Sequence, residues 1–216
     1  MAAKAKRTGN SLSRRLRFPA EEKRLPWLPL LLDGYAVIDT GIDVAMRREE
    51  KQRGSTIACR QGCDVCCRQK DIPVYPHELV GIYWYASEQL GSGIREVVKQ
   101  QLAGRQLGSP CPFLVDHACA IHPLRPASCR QFNVFTTPCA EGEDPYYSRR
   151  QDVLEPLEDY LDRAFAGVLT FYGVKDKADQ ARAVRTIRRQ MLNLQSYDWS
   201  KLLAVMERPA AEHSVT

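Results

Sequence analysis

Eight cysteines, four of them within nine residues, constrain this 216-residue chain more than any other feature of its sequence. The first group is Cys59-Arg-Gln-Gly-Cys63-Asp-Val-Cys66-Cys67. The second is Cys111, Cys119, Cys129 and Cys139, spread through a stretch rich in Pro and Gly. Cysteine used only as a small hydrophobe would be scattered. A chain of this length that is 44% apolar can bury a core without disulfide staples, so the cluster calls for another use. No run approaches the ~20 apolar residues of a membrane span, and the N-terminus lacks the apolar stretch of a secretory signal. The expected setting is a soluble, cytoplasmic, reducing one, where clustered thiols serve as metal ligands more often than as disulfides.

The spacing supports ligation. Residues 59, 63 and 66 are i, i+4 and i+7, and 67 is four beyond 63, so on a helix the four thiols share one broad face. Thiolates are soft ligands that select zinc, Cu(I) and iron–sulfur centres over magnesium or calcium. Cys66 and Cys67, being adjacent, are poor partners for one tetrahedral ion. The two groups are therefore expected to interleave, in one cluster drawing thiolates from Cys59, Cys63, Cys66, Cys67, Cys111, Cys119, Cys129 and Cys139. Cys139 ranks last, because it sits in a flexible-looking run with Gly142 and Pro145. The Cys-x3-Cys-x2-Cys spacing also holds [4Fe–4S] clusters in radical SAM enzymes, but those need a (β/α) barrel and no strand–helix alternation follows here.

Charge argues against a nucleic-acid role for most of the chain. Of the net +5, residues 1–25 contribute +6, leaving −1 for the other 191 residues. The basic segment 1–25 reads as a solvated, disordered tail, residues 26–207 as one domain with its motif core at 55–139, and residues 208–216 as a flexible end. Within the domain, apolar residues recur with helical period. Leu28, Leu31, Leu32, Tyr35, Ile38, Ile42, Ala45 and Met46 predict a helix to about Gln52, stopped by Gly54. Pro76 opens a second helix, and a short one is expected around Ile94–Leu102. Pro156 opens another through Leu161, Phe165 and Leu169, with Gly173 placed to end it. Asp176 is expected to cap a helix with Ala181, Val184, Ile187, Met191 and Leu194 inward, and Asp198 a last short one. Residues 104–147 show no period, so metal is expected to order them. The fold class is mainly α, helices packed around an irregular cysteine-rich segment. Tyr75, Tyr83, Trp84 and Tyr85 follow a helical stripe and belong to the core rather than to a base-stacking platform. His77 and Glu78 read as ordinary first-turn residues, Glu78 favouring the helix dipole.

The run Cys-x3-Cys-x2-Cys-Cys, followed by Cys111-Pro-Phe-Leu and Cys119-Ala-Ile-His-Pro-Leu-Arg-Pro-Ala-Ser-Cys129-Arg-Gln-Phe, resembles the YkgJ-type cysteine-cluster family over about residues 55–135. The resemblance implies a zinc- or iron-chelating domain with Cys59, Cys63, Cys66, Cys67, Cys111, Cys119 and Cys129 as ligands, and Arg125, Pro126 and Arg130 as its Arg-Pro-x-x-Cys-Arg element. His122 stands where that family has Tyr, and is either a nitrogen donor or a packing residue. His117, beside Cys119, is expected to be exposed. The flagellin lysine N-methylase is similar to this family, so two functions are carried forward. One is a metal-binding protein with zinc or an iron–sulfur centre, in electron transfer or redox sensing. The alternative is a SAM-dependent protein methylase, or another transferase, with a structural metal cluster. A metal ion is the expected partner, with a protein partner or substrate left open; no membrane and no nucleic acid are expected.

Overall fold

The computed structural model describes residues 15–208, and its fold is mainly α, as the periodicity requires. A short helix α1 (Pro19–Arg24) leads into α2 (Leu28–Arg53), the long helix on which the frame is built. The expected stripe of α2 is buried, with Leu28, Leu31, Leu32, Tyr35 and Ile38 at most 3% exposed. Gly54 ends it in the left-handed conformation (φ 65°), which costs least without a Cβ. A two-residue strand β1 (Pro73–Val74) precedes α3 (Pro76–Trp84), which opens on its proline and passes into a π turn; α4 (Ser92–Ala103) follows. The middle of the chain holds a small hairpin, β2 (Leu114–Val115) and β3 (Ala118–Cys119), then α5 (Ala127–Gln131) and α6 (Pro145–Ser148). The C-terminal third contains α7 (Glu158–Gly167), α8 (Gln180–Arg189), β4 (Leu192–Asn193) and α9 (Ser200–Glu207). β4 pairs antiparallel with β1.

Two large hydrophobic cores result among the described residues, beside a small third cluster of Ala45, Phe135 and Leu154. In the first, α2 packs on α3, α7 and α8 through residues such as Leu31, Tyr35, Leu161, Phe165 and Ile187. Where α2 meets α7, a Cβ on Gly41 would fall 2.6 Å from Tyr160 Cβ, the rigid base of that side chain, so the approach depends on glycine. The second core joins α3, α4 and α9 to the middle segment through Ile82, Val98, Phe113, Ile121, Trp199 and Leu202. Trp84 and Tyr75 are buried, as the stripe implied. No helix among the described residues is long and apolar enough to cross a membrane.

Three expectations are corrected. The basic tail was expected to be disordered through residue 25, yet residues 15–25 are built onto the domain; residues 1–14 and 209–216 lie outside the described residues. Phe18 sets its ring edge-on to Trp84 at 5.1 Å, while Arg15 pairs with Glu22 (2.9 Å) and with Asp33 (2.5 Å). A single aromatic in a charged stretch has no period to betray it. Phe18→Ala is therefore expected to lower stability by about 1–3 kcal/mol, read from denaturant melts. A loss below about 0.5 kcal/mol, the reach of an ordinary surface change, would return the segment to a dispensable tail.

Residues 104–139 were expected to lack a hydrophobic anchor. Instead Phe113, Ile121, Leu124 and Phe135 are fully buried, carried inward by turns and a hairpin that no helical period describes. The helix expected to carry Met191 inward stops at Arg189, and Met191 is 53% exposed. Leu194 still reaches the core, but from the end of β4, its amide donating to the Ile72 carbonyl at 2.9 Å.

Candidate metal centre

The cysteine run was expected on the end of a helix, sharing one face. It does not lie there. Gly54 stops α2 five residues early, and only Val65–Arg68 turns helically, as one 3₁₀ turn. Cys59 sits on extended chain, and Arg60–Cys63 form a tight turn closed by the Cys63 amide on the Arg60 carbonyl (3.1 Å). Gly62, third in that turn, has φ 83°, where glycine is favoured.

Tertiary contacts do the gathering instead. The Cys111 amide donates to the Cys67 carbonyl at 2.8 Å, joining the two cysteine groups through the main chain. The β2–β3 hairpin sets Cys119 opposite Leu114, turning through Asp116 and His117, both with positive φ. The exposed His117 ring meets the Asp64 carboxylate at 3.0 Å, and Arg68 donates to the same carboxylate at 2.7 Å. Arg68 beside it holds the Asp64 carboxyl below its usual range. One aspartate inside the cysteine run thus docks the hairpin that carries Cys119. The exit of the run is clamped by the C-terminal segment: the Gln195 amide donates to the carbonyls of Cys67 (3.2 Å) and Gln69 (2.7 Å).

Cys129 is set by two buried charged residues. Glu78, fully buried, accepts from the Tyr75 amide at the start of α3 (2.9 Å) and from the Ala127 amide at the start of α5 (2.7 Å). One carboxylate therefore caps two helices, and burial pushes it up to about 7 against the pull of those amides and of Arg130. Arg130, one residue past Cys129, reaches both oxygens of Asp39 on α2 (3.0 and 2.8 Å) and donates to the Arg125 carbonyl (3.0 Å). Its guanidinium lies 4.1 Å over the Tyr35 ring. The Arg-Pro-x-x-Cys-Arg element is thus an anchor on α2. The sequence reading treated Glu78 as an ordinary first-turn residue and missed Asp39 and Asp64; the Glu three residues after Tyr75 was the one available signal of a cap.

Seven of the eight cysteines, all but Cys139, line one cleft of about 1010 Å³. Cys139 nevertheless does not stand in a loose run. The Ala140 amide donates to Glu143 (2.9 Å), Glu143 pairs with Arg149 (2.7 Å), and Arg149 pairs with Asp152 (3.1 Å). Cys139 lies within electrostatic reach of Cys59 and Cys63. Of the two candidate nitrogen donors, His122 sits against Arg125, and the partial desolvation of its ring, then the Arg125 charge, hold it below its usual value, while His117 is committed to Asp64.

All eight cysteines are free thiols. Burial pushes Cys111 and Cys129 up and Cys119 to about 11, while Cys66 is raised by its hydrogen bond with Cys67 and by burial. Among the described residues no three His, Cys, Asp or Glu side chains converge closely enough to hold an ion as they stand. The donor set nevertheless fits zinc or an iron–sulfur centre: all-sulfur ligands facing one cleft, able to close on an ion as they lose their protons.

No curated protein and no solved structure matches the chain. Residues 58–153 match a family model, "CxxCxxCC: Putative zinc- or iron-chelating domain". The matched segment holds all the cysteines and excludes the helical frame of α2, α7 and α8. Its first cysteine pair is spaced one residue wider than the family's name, where Gly62 makes its turn. Over residues 58–153, a little under half of its length, the chain is similar to the CxxCxxCC family.

Proposed function

We propose that the protein chelates a transition metal, zinc or the iron of an iron–sulfur centre, through its thiolates. One observation carries this reading: free thiols from two groups far apart in sequence line a single cleft, held there by main-chain bonds and buried charge. A protein that used cysteine only for packing would have no reason to bring them together. A thiolate centre fits a reducing compartment such as the cytoplasm. The centre would organise the cysteine run and the loop that bears Cys139 and, if it contains iron, carry electrons or sense redox state. The test is metal analysis with a UV–visible spectrum of anaerobically purified protein. Bound zinc with no visible absorption, or brown protein with iron and sulfide, are the expected results; protein free of both metals would overturn the reading.

A second reading, a transferase that uses the centre structurally, draws on one feature. The cleft continues past the thiols along Asp144, Tyr146, Tyr147 and Arg150, more room than an ion needs. Calorimetry with S-adenosylmethionine separates the two readings, and saturable binding would favour the transferase.

A further inference from the structure

We propose that the eight thiols make two four-thiolate metal sites rather than one cluster. Cys111, Cys119 and Cys129 form one and Cys59, Cys63 and Cys139 the other, with the adjacent Cys66 and Cys67 each completing a different site. This rests on the metal-binding reading and deepens it.

The first trio is fixed by the second hydrophobic core. Cys111 is part of that core, and Cys119, Cys129 and Cys67 pack against it. The Leu114 amide donates to the Cys111 carbonyl (3.0 Å), so the turn after Cys111 runs straight into the hairpin that presents Cys119. The second trio is fixed by a different strip of chain. The Ala58 amide donates to the Val134 carbonyl (2.7 Å), and the Val134 amide points back at Cys59 Sγ (3.3 Å). Ile57 bridges Phe135. Cys139 follows a few residues on, in the loop that Glu143 closes and that the Gln69 amide holds at the Glu143 carbonyl (2.5 Å). The entry and exit of the first cysteine run therefore both touch the segment that bears Cys139. The thiols that bear electrostatically on Cys139 are Cys59 and Cys63, whereas those on Cys111 are Cys119 and Cys129.

Between the trios sit Cys66 and Cys67. On a 3₁₀ turn consecutive side chains point about 120° apart, so the two cannot chelate one tetrahedral ion without strain. Adjacent in the chain, they make the two sites neighbours. Cys66 feels Cys119 and Cys129 on one side and Cys59 on the other, as a residue on the boundary should. Eight thiolates are two complete tetrahedral sets, and none is left over.

Native mass spectrometry of the full chain, reduced and loaded with zinc, counts the ions. Two are expected in the wild type, and one each in Cys129→Ser and Cys139→Ser. The double variant Cys63→Ser/Cys139→Ser should still keep one, since both changes fall on the same site. One ion in the wild type, or two in Cys139→Ser, would overturn the division. So would complete loss in the double variant while its helical circular dichroism is unchanged. No ion in the wild type would overturn the metal-binding reading itself.

Discussion

Stripping metal from the reduced protein with a chelator is expected to free residues 58–70 and the Cys139 loop while α2, α7 and α8 keep their protection against hydrogen exchange. Structural zinc is worth ~10–16 kcal/mol in small peptides at neutral pH, as much as the whole ~5–15 kcal/mol of an ordinary domain. Its loss would unfold everything coupled to it. The coupling here is uneven. The first core contains no cysteine side chain, and Phe113, Ile121 and Leu124 hold the middle segment by burial. The cysteine run has no such anchor: Cys59 to Cys67 contribute no fully buried apolar side chain. Deprotonation sets the direction with pH. Thiols that burial pushes up, Cys119 to about 11, must lose protons to bind, so chelation should weaken as pH falls and strengthen as it rises. Uniform loss of protection along the chain would show that metal and helices fold as one unit. No change at all would show that metal has no structural part.

The second large effect is expected from Arg130→Ala, a loss of about 3–5 kcal/mol in denaturant melts, the cost of breaking a buried charged pair from one side. Arg130 is 5% exposed and makes the bidentate pair with Asp39, two carbonyl contacts and the stack on Tyr35. Truncation leaves Asp39 facing a void and lets α5, with Cys129, drift from α2. Arg130→Lys should recover little, because an ammonium cannot match the fork or lie flat on the ring. Asp39 is partly solvated, so Asp39→Asn should cost less than Arg130→Ala. A loss under about 1 kcal/mol for Arg130→Ala, the worth of a surface pair, would show that the contact is ornamental.

The helical frame was legible because a period needs only length. The stripe from Leu28 to Ala45 and the proline opening α3 stand where the residues put them, whereas the helix expected to run to Gly173 ends at Gly167, and Gly173 closes a separate 3₁₀ turn. What the period cannot report is burial in segments shorter than two turns. Phe113, Ile121 and Phe135 enter the core one at a time, from a turn, a hairpin exit and an isolated bridge. The same spacing argument misled at Cys59–Cys67, where i, i+4, i+7 looked like a helical face and two glycines break the helix. The ligand types were plain in the sequence. The charged residues that position them were not, since Glu78 meets Ala127 across 49 residues and Arg130 meets Asp39 across 91.

The clamp of Gln195 on the Cys67 carbonyl has a consequence for synthesis. The two residues are 128 apart, and a ribosome adding 5–20 residues per second delivers Cys67 roughly 6–25 s before its clamp. For that interval Cys59, Cys63, Cys66 and Cys67 emerge as a short, unclosed thiol run, open to oxidation and to whatever soft metal is most abundant. Correct loading then depends on the nascent chain meeting its metal late, or on a first ion exchanging once the C-terminal strand has closed.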